Sequence, residues 1–124
     1  MTIHYLKLPG TLSLLDCNTG EPLRVNKAGA VDPEGEELLC SHIDVCRALT
    51  NQIRADEGLD ALDAFQLRQK LCGTAFVAEL DEKEHEVLSK AAKAPRALSI
   101  HQQFSPDVAA FLRSIVAAPI DKPE

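Results

Sequence analysis

A chain of 124 residues, 45% apolar and 26% charged, is long enough to bury one modest hydrophobic core, and a single domain spanning 1–124 is expected. Its formal charge of −6, with no cluster of Lys or Arg, argues against direct nucleic-acid binding, and no run approaches the roughly 18 apolar residues that cross a bilayer. Aromatic side chains are scarce, so Leu, Val, Ile and Ala must build the core, which favours helices over a β-sandwich. Met1 to Leu8 has no basic region followed by a long apolar core, and the expected place of the protein is the cytoplasm of the cell that makes it.

Ile3 to Leu8, Thr11 to Leu15 and Pro22 to Val25 read as short extended runs separated by Pro9-Gly10 and by the turn from Asp16 to Gly20. They predict an N-terminal β-hairpin or meander, which is marginal alone and must lie on helices or on another chain. Residues 26–35 carry Gly29, Pro33 and Gly35 with little apolar content and are expected to be a loop, the most mobile segment of the chain. A first helix is predicted from about Glu36 to Arg54, broken over Ala55 to Leu59. Asp60, with Asp63 three residues on, caps a second helix ending near Cys72-Gly73.

That second helix carries Leu62, Ala64, Phe65, Leu67, Leu71, Cys72, Ala75 and Phe76. The arc is too wide for a one-sided surface helix and predicts the central helix of the domain. Val77 to Leu80 reads as extended, and Asp81 with Glu84 forms a capping box for a third helix that Pro95 stops. Arg96 to Phe104 fits either a short helix or an irregular connection. Ser105-Pro106 opens a last helix with Val108, Phe111, Leu112, Ile115 and Val116 on one stripe, before a polar tail over 119–124. The fold class expected is therefore α+β, mostly α, with the hairpin region packed on three to five short helices spanning 36–118.

Only Leu38 to Ile53 looks like chemistry, because Cys40, His42, Asp44 and Cys46 are all able to ligate a metal. On a helix the geometry fails: Cys46 joins Leu49 and Ile53 on the apolar face, while Cys40 falls with Asp44, Arg47, Asn51 and Arg54 on the other. His42 and Cys46, four apart, are neighbours and form the core of a metal-site alternative, which needs further ligands such as Cys72 or His85 brought in by folding. The four cysteines, at 17, 40, 46 and 72, form no CxxC and are read as reduced thiols, Cys46 and Cys72 in the core and Cys17 exposed beside Asp16.

His85, among Glu82, Glu84 and Glu86, is read as a solvated helix histidine, with a pH-sensitive contact as the sharper alternative. Acidic residues at Asp32, Glu34, Glu36 and Glu37, and again from Glu79 to Glu86, fit solvated helix starts. Glycines are isolated, without a phosphate-binding run, and no paired carboxylates sit in an apolar setting. No enzyme activity and no cofactor are expected.

The turn "TGEPL" (Thr19 to Leu23), a helical middle, and then "VAELDEKEHEVLSKAAKA" (Val77 to Ala94) and "SPDVAAFLRSI" (Ser105 to Ile115) resemble, in order and kind, small proteins of tailed-phage and prophage genomes. The resemblance implies a non-enzymatic product, either a virion structural or assembly component or a small factor directed at a host protein. Other protein subunits are then the expected partners, with self-association possible, no nucleic acid and no membrane. An edge-exposed hairpin and an apolar helix stripe suit such contacts, and Tyr5, Leu6, Leu12, Leu14, Leu23 and Val25, with Phe111, Leu112 and Ile115, are the expected contact residues. An acidic decoy for a nucleic-acid-binding protein is a third reading, resting on net charge alone.

Overall fold

A computed structural model describes residues 2–16, 18–55, 59–73 and 76–121. The fold is α+β and mostly α, with five helices and three two-stranded antiparallel sheets among the described residues. The expected hairpin is present between Leu14 and Leu23: Leu15 bridges Pro22, the Leu23 N–H donates to the Leu14 carbonyl at 2.9 Å, and the Asp16 N–H donates to the Glu21 carbonyl at 2.8 Å.

The strands flanking this turn do not pair with one another. β1 (Ile3–Lys7) pairs with β6 (Val77–Asp81), Ile3 opposite Asp81 and Lys7 opposite Val77. β2 (Thr11–Ser13) pairs with β5 (Leu39–Ser41), and β3 (Arg24–Val25) pairs with β4 (Glu36–Glu37). Gly10, at φ +84°, redirects the chain between β1 and β2, a backbone state that side chains disfavour. Leu6 and Leu8 of the first run then meet Ala78 and Leu80 on one buried face.

The segment 26–35 is knit by its own side chains. Asn26 Oδ1 accepts from the Ala28 and Ala30 N–H groups, and Asp32 Oδ1 accepts from the Glu34 N–H. A Cβ on Gly35 would overlap the Val25 carbonyl, so only glycine lets β4 approach β3 there.

α1 (His42–Ala55) starts six residues later than the predicted Glu36, because Glu36 to Ser41 contribute strand pairs instead. Its start carries a local signal: Ser41 Oγ accepts from the Ile43 N–H at 3.1 Å while Asp44 Oδ2 accepts from the Ser41 N–H at 3.2 Å, so two side chains meet main-chain donors at the helix start. Cys40 is consequently not on the outward face of a helix; it points inward from β5 and is buried.

α2 (Ala61–Cys72) has the predicted cap, with Asp60 accepting from the Asp63 N–H at 2.8 Å. It is not the central helix. Ala64, Leu67 and Leu71 are buried, but Leu62 and Phe65 are 64% and 57% exposed, so the wide apolar arc has one partnered half and one solvent-facing half. Of the later residues assigned to that arc, Phe76 lies beyond the helix and Ala75 lies outside the described residues. The central position belongs to α1, which packs against α2, against α3 (Glu82–Lys93) and against α5 (Pro106–Val116).

α3 begins with the predicted capping box, the Glu84 N–H on Asp81 Oδ1 at 2.8 Å and the Asp81 N–H on Glu84 Oε1 at 3.0 Å. Glu84 Oε1 also meets Lys70 Nζ at 2.6 Å, tying α2 to α3. Glu84→Ala removes the reciprocal cap and this ion pair together, and is expected to cost about 1–2 kcal/mol in urea unfolding, against a smaller loss for Glu84→Gln, which keeps an acceptor.

The ambiguous stretch holds a one-turn helix, α4 (Ile100–Gln103), capped by Ser99. Gln52 secures its approach: the side-chain amide donates to the Ala94 carbonyl at 3.0 Å, and its oxygen accepts from the Arg96 N–H at 2.9 Å.

Candidate functional site

The nine residues expected to make contacts divide sharply. Leu6, Leu12, Leu14, Leu23, Phe111 and Ile115 are buried in the core, so they are not available as surface contacts, while Tyr5, Val25 and Leu112 are half-buried. The stripe on α5 is the helix's inner face, packed against α3, and the leucines of β2 and of the turn after it are the inner face of the hairpin.

Between these two elements lies the feature that sequence reasoning missed. An open groove of about 820 Å³ runs between β1 and α5. Its floor is Leu8, Leu12 and Phe111. One wall is Lys7, Pro9 and Thr11 with Phe76 and Val77; the other is Asp107, Ala110 and Ser114. A smaller hollow of about 310 Å³, lined by Tyr5, Leu6, Ala117 and Pro119, shares Lys7 and Ser114 with it and continues the path along the strand.

Phe76, at 85% exposure, stands over the groove. Its carbonyl accepts from the Leu8 N–H at 2.8 Å, which holds the ring at the rim while leaving its faces open. In the sequence Phe76 reads as one more core residue with no local mark of exposure, and the groove is assembled from segments distant in the chain. Among the described residues its ionisable side chains are Lys7 and Asp107, and Asp107 Oδ2 already accepts from the Ser13 N–H at 2.9 Å.

The outer edge of β1 faces this groove. Leu8 bonds to Phe76, so alternation along the antiparallel ladder turns Leu6 and His4 inward and Tyr5 and Lys7 outward. The Tyr5 N–H donates to the Pro119 carbonyl at 2.8 Å. The Lys7 main chain has no such partner among the described residues.

His42 and Cys46 do not assemble a metal site. His42 is buried with both ring nitrogens on backbone: Nε2 lies 3.0 Å from the Leu71 carbonyl and Nδ1 lies 3.2 Å from the Gly10 N–H, an arrangement met when Nε2 carries the proton. Among the described residues, no three His, Cys, Asp or Glu side chains group as a ligand set. Cys46 is fully buried, Cys72 half-buried, and the Cys40 thiol contacts Gln102 Nε2 at 3.3 Å and Asp44. Cys17 lies outside the described residues.

Burial pushes the Cys46 thiol far above the ordinary thiol range, and the neighbouring Cys72 adds to the shift. Burial also raises Cys40 and Cys72, partly offset by the Gln102 hydrogen bond at the first and by Arg47 and Arg68 at the second. Below the ordinary thiol value of about 8.5 both folded and unfolded chains keep these protons; above it the unfolded chain loses them first, so stability falls as pH rises, by up to about 1.4 kcal/mol per unit at the fully buried Cys46 and by less at Cys40 and Cys72. Urea midpoints are expected to drop on raising the pH above about 8.5, with a shallower drop for Cys46→Ala. An equal slope in both proteins contradicts the assignment.

His85 is not a solvated histidine. Its ring stacks on His4 with centroids 3.7 Å apart, and Nε2 lies 3.0 Å from the Ile115 carbonyl and 3.2 Å from Ser89 Oγ. His4 Nδ1 lies 3.1 Å from the Ala118 carbonyl, so the pair fastens the end of α5 to β1 and α3. This places the α5 wall of the groove.

Compared with protein families, curated proteins and solved structures, the chain matches none. No helix among the described residues is long and apolar enough to cross a membrane.

Proposed function

We propose that the chain is a non-enzymatic protein–protein interaction protein of the phage or prophage type, a virion structural or assembly component that contacts other protein subunits through the groove between β1 and α5. The observation that carries this reading is the groove itself, whose apolar floor and exposed Phe76 lie beside an incompletely paired strand edge. Apolar surface of this kind, left open on a small protein and rimmed by polar side chains, is characteristic of a contact site. Its lining offers shape and apolar contact in place of an acid–base pair, which favours binding over catalysis. The phage-type assignment draws its support from the order of elements, hairpin, helical middle and two capped helices, in which Thr19 to Leu23, Val77 to Ala94 and Ser105 to Ile115 fall.

Affinity purification of the tagged chain during expression of its neighbouring genes tests the role. Capsid, portal or tail proteins are expected to co-purify with wild type and to be reduced about ten-fold by Ala110→Trp, which fills the groove from an exposed position. Recovery of a single host enzyme instead moves the reading to a host-directed regulatory factor. Self-association is tested separately by size-exclusion chromatography with light scattering, where a monomer at micromolar concentration removes that part.

A further inference from the structure

Resting on that reading, we propose that the groove's occupant is an extended, uncharged segment of a partner protein, added as a third strand to the outer edge of β1. The ladder sets the geometry. Tyr5 and Lys7 turn their main-chain groups away from β6, and the rung at Tyr5 is already taken by the chain that follows α5, with the Tyr5 N–H on the Pro119 carbonyl. The next rung, at Lys7, opens where the two hollows join. An incoming segment extends the two-stranded sheet there, its main chain bonding to Lys7 while alternate side chains drop onto Leu8, Leu12 and Phe111.

Dimensions agree with this occupant. From Asp107 to Ala117, α5 rises about 15 Å, the length of four to five residues of extended chain at about 3.3 Å each. A helix, about 10 Å across with its side chains, would reach the same floor only with its backbone groups already satisfied, leaving the Lys7 rung unused. Charge selects further. The chain carries −6 overall, yet among the described residues the groove is lined by one cation and one anion, Lys7 and Asp107, so the basic segment that the rest of the surface attracts gains little here, whereas a neutral one loses nothing. A second copy of the chain is a poor occupant, because symmetric pairing of two β1 edges requires the Tyr5 rung that Pro119 holds.

Selection from a displayed peptide library on the intact protein tests the proposal, followed by synthesis of the recovered sequences with blocked ends. Uncharged sequences with apolar residues at every second position are expected. Bound peptide should shift and protect the Lys7 amide in NMR spectra, and N-methylation of alternate peptide nitrogens, which removes strand bonds and keeps the side chains, should weaken binding about ten-fold or more. Recovered sequences with apolar residues three and four apart, or binding without a change at Lys7, overturn strand addition; if Ala110→Trp still abolishes that binding, the contact role of the groove survives. Peptides indifferent to Ala110→Trp overturn both. Binding that emerges only when residues 122–124 are deleted overturns the partner assignment in favour of the chain's own tail.

Discussion

Replacing His42 with alanine is expected to destabilise the fold by about 3 kcal/mol, because it leaves the buried Leu71 carbonyl and the half-buried Gly10 N–H without their partner and opens space beside an aromatic ring. The imidazole joins three segments. Its Nε2 meets the Leu71 carbonyl at 3.0 Å, near the end of α2 where helix carbonyls lack partners of their own. Its Nδ1 meets the Gly10 N–H at the turn between β1 and β2, and its ring packs edge-on against Phe111 of α5, centroids 6.3 Å apart. Urea unfolding should show a lowered midpoint with an unchanged slope, and the melting temperature should fall by about 10 °C for a chain of this length. His42→Gln, which restores one donor, should recover part of the loss. A loss below about 0.5 kcal/mol for His42→Ala would show that solvent or neighbouring groups replace the ring's bonds. Chelator is expected to leave the wild-type melting temperature unchanged, since the ring nitrogens serve backbone groups.

The same residue shows what could be read from sequence. Helix starts were legible where a side chain three residues from its partner does the work: Asp60 with Asp63, Asp81 with Glu84, and Ser105 before Pro106. Ser41 with Asp44 is a related signal, and in sequence it competes with the apolar periodicity that runs back from Ile43 through Leu39 and Leu38. Strand pairing decides that segment, and its partner, Thr11 to Ser13, lies too far along the chain to leave a local trace. The hairpin from Leu14 to Leu23 was legible because its turn is local; the pairing of β1 with β6 was not, because Leu6 and Ala78 lie on either side of the whole helical middle and leave no local trace of one another.

The candidate site follows the same division. Apolar residues of β2 and α5 read in sequence as contact residues for a partner, because periodicity alone does not say whether the covering is the chain's own core or another molecule. The groove lies between the two elements chosen, but on Lys7, Phe76, Ala110 and Ser114, which connect three remote segments. An exposed phenylalanine such as Phe76 reads in sequence as one more core residue. Only the packing of β1 and α5 around it shows that it faces outward.

Leu88→Ala is expected to cost about 3–4 kcal/mol, while Leu62→Ala changes stability by no more than about 0.5 kcal/mol, and the contrast tests which helix carries the core. Leu88 is fully buried on α3, which packs against α1 and α5, so truncation removes apolar contact and leaves a cavity that three elements must close. Leu62 is mostly exposed on α2, and the unfolded chain hydrates it little more than the folded one. Had α2 been contacted from two sides, as its apolar arc suggests in sequence, Leu62 and Phe65 would each match Leu88 in effect. Loss at Leu88 also bears on the groove, because α3 backs the helix that forms its wall: the variant should bind a groove ligand more weakly even at temperatures where it remains folded. Wild-type affinity in folded Leu88→Ala would mean that α5 is held in place by the His4–His85 pair and its strand contacts without help from α3 packing at this position.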